Sequence, residues 1–296
     1  MRAFAIFTGF LASCLLISAL LHYPLYLLLD GLLEVPAHKQ VPRAAKLIAL
    51  PGFFLLITWL GLYNRKALGF GLPRATYLHQ VFIGWLYGAL ILIILSTALI
   101  GFEIRTLDPI DDDFLFDFTK TLTSGLIGGL LIGLIEEIFF RGAMHQAIRR
   151  YSSASTAIIF TSLLYAAVHF IDPVRFTEPI DWFSGIQILS GAFWQLGDWA
   201  TFDSFIALLA VGAFLGLVRE RTGNIAYCIG LHAGWVLVIK CTKQFTSNNH
   251  DSEWAFLTGT YDGITGYLAA LWLLLLMMLY AVYSKMNTPK DKQDCT

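Results

Sequence analysis

Long apolar runs separated by short polar or charged turns recur along the whole chain. A helix crosses a hydrocarbon core with about 20 predominantly apolar residues. Read at that length, the runs at 3–29, 46–63, 79–101, 119–148, 154–170, 203–218, 225–241 and 264–284 predict about eight transmembrane helices. The first run ends near Asp30-Gly31, and a polar link with Pro36 and Pro42 precedes the second. Residues 171–202 break the pattern with Pro173, Pro179, several acids, Trp182, Trp194 and Trp199. Tryptophan favours the membrane–water boundary, so a loop with an interfacial or re-entrant helix around 183–196 is expected. A polar loop from Thr242 to Asp262 leads to the last run. The predicted fold class is an all-α polytopic membrane bundle. It is organised as N-terminal helices (1–118), a central core (119–241) and a C-terminal loop, helix and tail (242–296), all one integral membrane unit.

Composition agrees with the pattern. Hydrophobic residues make up 57% of 296 and charged residues 14%, against about 25% charged in a soluble domain. Mean hydropathy is +0.66. A net charge of −1 without a basic stripe gives no reason to expect nucleic acid. Four cysteines without a C-x-x-C pair argue against a disulfide framework or a cysteine-rich metal site. Cys14 follows Leu-Ala-Ser, but the apolar run continues past it, so a retained first helix is expected. Arg65, Lys66, Arg74, Arg149, Arg150, Arg219, Arg221, Lys285, Lys290 and Lys292 fall in alternate turns and the tail, whereas 102–118 and 171–202 are acidic. The positive-inside rule then places the protein in the cell membrane with both termini in the cytoplasm, mildly opposed by Lys39, Arg43 and Lys46. The run Asp111-Asp112-Asp113 lacks the spacing of a calcium loop and reads as a solvated face.

The unusual chemistry sits in Leu130–Gln146, LLIGLIEEIFFRGAMHQ. Ionisable residues in a bilayer core are costly and usually functional. On a helix, Glu137 and Arg141 are i,i+4 and can pair. Glu136 is rotated by about 100° and needs another purpose. Gly125, Gly129 and Gly133 lie on the ridge that continues through Glu137 and Arg141. Small residues at that spacing let a neighbouring helix approach, which would bury the ion pair in protein rather than lipid. His169 and His232 lie in two later runs. A lone transmembrane histidine is more often a packing residue. A carboxylate and two imidazoles brought together can do general acid–base work on water attacking a peptide carbonyl. Glu136 as a proton-coupled transporter residue is a weaker reading, because no inverted repeat is visible.

These residues resemble the signatures of the CPBP (CAAX protease and bacteriocin-processing, or Abi) intramembrane proteases, often described as metalloproteases. Glu136-Glu137-Ile-Phe-Phe-Arg141 is similar to its E-E-x-x-x-R motif, Tyr165-Ala-Ala-Val-His169 to its aromatic-x-x-x-His motif with Tyr for the usual Phe, and Gly-Leu-His232-Ala-Gly-Trp to its last histidine motif. The resemblance covers about residues 120–241 and makes 119–241 the catalytic core. It implies an endopeptidase acting on a membrane-associated protein or peptide, a prenylated tail or a bacteriocin-like leader among them. Glu136 and His169 would activate water, His232 would help hold the oxyanion, and Glu137 and Arg141 would be structural support. No cofactor is required on the favoured glutamate mechanism, while zinc held by Glu136, His169 and His232 stays open. Many members carry Asn or Asp four residues after the last histidine, and here that position is Val236. The oxyanion then falls to His232, to Asn224 or to a backbone N–H, or the protein is a non-catalytic immunity or scaffolding factor. Straight helices over these runs would leave Glu136 and His169 at different depths.

Overall fold

A computed structural model describes residues 1–29 and 35–286; the expected first-run terminus at Asp30-Gly31 and the tail lysines Lys290 and Lys292 lie outside these. The elements in order are α1 (Arg2–Leu20), α2 (His22–Leu29), α3 (Ala37–Trp59), α4 (Arg74–Gly101), β1 (Arg105–Leu107), α5 (Phe114–Glu137), a π-helical segment (Ile138–Met144) and α6 (His145–Arg149). Then follow α7 (Ala154–Val168), α8 (Ser184–Gly191), two 3₁₀ turns at 194–201, α9 (Phe202–Thr222), α10 (Ala226–Phe245), β2 (Thr246–Asn248) and α11 (Tyr267–Met286). The bundle is polytopic and almost wholly helical, as the apolar runs predict. Each run has its helix, of 15 residues or more, among the described residues. Five of these are long and apolar enough to cross a membrane, and Ala154–Val168 and the stretch Tyr267–Val282 of α11 are apolar but shorter.

The differences from expectation are local. The first run breaks at Leu21 into α1 and α2. The second helix starts at Ala37 and carries Pro42 and Pro51 inside it; Pro42, six residues in, forgoes only one early hydrogen bond. The polar loop expected from Thr242 starts later, because α10 continues to Phe245. The helix expected at 183–196 is α8 followed by a 3₁₀ turn, with Trp182, Trp194 and Trp199 exposed beside it.

Helix α10 is the centre. It is gripped between α4 and α5 because both contact faces are built from glycine. A Cβ added at Gly125 would meet the Leu237 side chain at 2.7 Å, at Gly129 Ala233 O at 2.8 Å, and at Gly133 Ile229 O at 3.1 Å. The partner number falls as the glycine number rises, so α5 and α10 run antiparallel. On the other face a Cβ at Gly84 would meet Tyr227 O at 2.7 Å, and one at Gly234 would meet Trp85 O at 2.5 Å. Contacts this close leave no room for a side chain and maximise van der Waals packing, which drives helix association in lipid. The expected glycine ridge is therefore real.

One tertiary feature carries no sequence motif. β1 pairs antiparallel with β2, Arg105 opposite Asn248. The Arg105 side chain is buried there, bonded to Thr246, Asn248 and Gly263 O. This clasp folds the chain after α10 back over the end of the bundle.

Candidate active site

Arg141 and Glu137 meet at 3.2 Å, both fully buried. The guanidinium also donates to Gly212 O at 3.2 Å on α9 and lies over the Tyr165 ring at 4.5 Å on α7. The backbone oxygen of Arg141, inside the π-helical segment, accepts from Arg219 Nε at 3.0 Å. Arg141 thus ties α5, α7 and α9 together.

Glu137 does more than support. Its Oε1 also accepts from His232 Nδ1 at 2.9 Å on α10. Side chains lean toward the N-terminus of their own helix. On antiparallel neighbours, Glu137 leans toward the level of Gly133 and His232 toward that of Ile229, which are adjacent. A carboxylate oxygen accepts, so His232 carries a proton on Nδ1 and turns Nε2 to the opposite side of the ring. That Nε2 faces Glu136 Oε2 at 3.9 Å. The Glu136 side chain is 29% exposed, yet its Oε2 is enclosed and makes no hydrogen bond among the described residues.

His169 caps the C-terminus of α7, and its Nδ1 donates to Tyr165 O at 2.7 Å. The Tyr165 ring packs on both imidazoles, with centroids 4.5 Å from His169 and 6.3 Å from His232. Counted along the chain, the expected depth mismatch is small. Glu136 lies 13 residues before the α6 terminus at Arg149 and His169 lies 15 after the α7 start at Ala154. At 1.5 Å per residue these are about 20 and 22 Å from the same turn.

His169, His232, Tyr165, Val236 and Tyr261 line one cavity of about 170 Å³ between α4, α9, α10 and α11. Glu136 is not part of that wall and approaches His232 from the α5 side. Val236 stands on the wall as an apolar surface. Asn224 is elsewhere: its Oδ1 accepts from Ala226 N at 2.9 Å and its Nδ2 donates to Thr222 O at 3.0 Å, so it fixes the turn into α10 and is not an oxyanion group. Tyr261 was not marked by any motif; its hydroxyl donates to His169 O at 3.3 Å. Burial and neighbouring Asp262 raise that phenol to a pKa of about 12, so it stays protonated. A second, almost wholly apolar cavity of about 200 Å³ lies between α1, α3 and α8, bounded by Val168 and Ile171 on either side of His169.

A carboxylate and two imidazoles are donors of the kind zinc accepts. Among the described residues, however, no three His, Cys, Asp or Glu side chains converge on one metal position. Zinc does not fit this arrangement of Glu136, His169 and His232.

A family model described as type II CAAX prenyl endopeptidase, Rce1-like, matches residues 118–238. Over these residues the chain is similar to the CPBP/CAAX-protease family. The match runs from the start of α5 to the middle of α10 and so contains Glu136, Glu137, Arg141, His169 and His232. The family is one of membrane proteases, which agrees with the apolar helices around the site. Helices α1 to α4 and α11 lie outside the CPBP-type segment, although α4 and α11 supply part of the cavity wall. No curated protein and no solved structure matches the chain.

Proposed function

We propose that the protein is an intramembrane endopeptidase that hydrolyses a peptide bond in a membrane-associated protein or peptide with water activated by Glu136. The observation that carries this reading is Glu136 Oε2 facing His232 Nε2 at 3.9 Å. That separation exceeds a direct hydrogen bond and suits one water between the two groups. Glu136 takes a proton from this water as its oxygen attacks the scissile carbonyl carbon. His169 orients the water with Glu136, and His232 helps hold the oxyanion. Glu136 then returns its proton to the leaving amine. Glu137 acts through His232, holding its tautomer and ring plane. The apolar cavity beside His169 suits an aliphatic side chain or lipid chain of such a substrate. The alternation of basic and acidic turns supports a cell-membrane protein with both termini in the cytoplasm.

Purified protein is incubated with a panel of membrane-anchored peptides, wild type against Glu136→Ala, with and without a chelator. Cleavage lost in the variant and kept with the chelator is the expected result. Cleavage equal in wild type and variant would remove Glu136 from the chemistry. Loss with the chelator would return a metal to the mechanism. Val236, apolar on the cavity wall, favours a non-catalytic membrane immunity or scaffolding factor as the second reading. That reading gains if neither wild type nor Val236→Asn cleaves anything.

A further inference from the structure

His169 stands where α7 ends, and the last carbonyls of a helix have no partner inside it. The His169 carbonyl finds its donor in another part of the chain, the Tyr261 hydroxyl at 3.3 Å. The Tyr261 ring also packs on the next residue, Phe170, with centroids 5.0 Å apart. Tyr261 belongs to residues 258–266, a strap that leads into α11. The strap supplies Tyr261, Asp262, Ile264 and Thr265 to the wall of the cavity that both imidazoles line. The place of His169 therefore depends on where the strap is seated.

The strap is held from two sides. On one, Lys243 pairs with Asp262 at 3.5 Å and Arg105 donates to Gly263 O at 3.1 Å. On the other stands the first turn of α9. Ser204 Oγ donates to Thr265 O at 2.6 Å, and Phe205 packs on Phe170 with centroids 5.9 Å apart. Beside these contacts Asp203 presses its carboxylate into the strap. A Cβ added at Gly266 would meet Asp203 Oδ2 at 2.6 Å, and one at Gly259 would overlap both carboxylate oxygens. The strap is thus glycine at both points where it closes on this one side chain. Asp203 is 6% exposed, and its Oδ2 makes no hydrogen bond among the described residues. The helix dipole favours an acid in the first turn, but a buried carboxylate short of partners is costly. Stability alone is a poor account of it.

We infer that Asp203 is a positioning residue for the reaction. Wedged between Gly259 and Gly266, it seats the strap, and the strap, through Tyr261, fixes the end of α7 that carries His169. The inference rests on the endopeptidase reading, in which His169 orients the attacking water. Asp203 acts through this chain of contacts and not on the substrate. Misplacing a catalytic group by about 1 Å can cost about 10²-fold in rate.

The test is steady-state cleavage of the best-cleaved membrane-anchored peptide by wild type, Asp203→Ala, Asp203→Asn, Tyr261→Phe, Asp203→Ala/Tyr261→Phe and Glu136→Ala. Asp203→Ala should lower kcat by about 10–10²-fold with KM within about threefold. Asparagine keeps the shape between the two glycines, so Asp203→Asn should hold kcat within about threefold of wild type. Tyr261→Phe cuts the same chain of contacts further along. The double variant should therefore be at most about twofold slower than Asp203→Ala. A cysteine in place of the exposed Thr260, in a background without native cysteines, reads the strap directly. Asp203→Ala should speed its labelling by a maleimide at least about threefold, as local opening becomes easier. Should Asp203→Ala not fold, Gly259→Ala takes its place, because the added Cβ pushes the strap off an intact carboxylate and should give the same kcat loss. Undiminished kcat, a change in KM alone, Asp203→Asn as slow as Asp203→Ala, multiplied losses in the double variant or unchanged labelling would each overturn the inference. Inactive Glu136→Ala beside any of these leaves the endopeptidase reading standing. If the wild type cleaves nothing, the reading and the inference fall together.

Discussion

Glu137 accepts from Arg141 and from His232 through one oxygen, Oε1, while its Oε2 makes no hydrogen bond among the described residues. The carboxylate therefore serves the arginine as counter-charge and the histidine as orienter. Removing one partner of a buried ion pair leaves the other uncompensated, at about 3–5 kcal/mol, whereas replacing both with apolar groups costs much less. Arg141→Met should accordingly lower stability by about that amount, and Glu137→Gln/Arg141→Met by clearly less. Thermal unfolding in detergent measures this, and additive costs for the two substitutions would refute the buried-pair account. Glutamine at 137 still offers an oxygen to His232 Nδ1, so the double variant should also keep part of any cleavage activity.

At the scale of elements, adjacent glycines on α5 have opposite surroundings. A Cβ at Gly129 would meet Ala233 O at 2.8 Å, and one at Gly128 would meet nothing within 4 Å. Gly128→Ala should stabilise by up to about 1 kcal/mol through helix propensity, and Gly129→Ala should destabilise by about 1–3 kcal/mol through overpacking against α10. Equal shifts in melting temperature would mean that α5 and α10 are not in this contact. The glycine ridge, the Glu137–Arg141 pair and the order of helices were legible in the sequence, because spacing of 3.6 residues per turn determines which side chains share a face. Less legible was anything that depended on a partner. The start of α3 was hidden because Pro42 reads as a breaker although the first helical turns tolerate it. The protonation of His169 and His232 depends on Tyr165 O and Glu137 Oε1, and no motif names those bonds. Tyr261 carries no signal at all; the clasp from Arg105 to Thr246, across 141 residues, holds its loop against the bundle.

For the whole molecule, the basic turns containing Arg65 and Arg221 and the acidic segment at Asp112 belong to opposite ends of the helices that connect them. Arg65→Cys and Asp112→Cys, each in a background without native cysteines, should label oppositely with a membrane-impermeant maleimide. Asp112→Cys should react in intact cells and Arg65→Cys only after permeabilisation. The reverse pattern would invert the topology, and with it the side from which substrate approaches.

The turn between Arg149 and Ala154 is remote from the chemistry, yet it sets how deep the chemistry lies. Glu136 is counted down from it and His169 counted up, and the two counts nearly agree. The hairpin works as a gauge whose calibration is residue number, not residue identity. Polar substitutions within it leave the reading unchanged. A single deletion in the α-helical part, His145–Arg149, shortens one arm by about 1.5 Å and turns it by about 100°, swinging Glu136 away from His232. Length, more than composition, is what this segment must preserve.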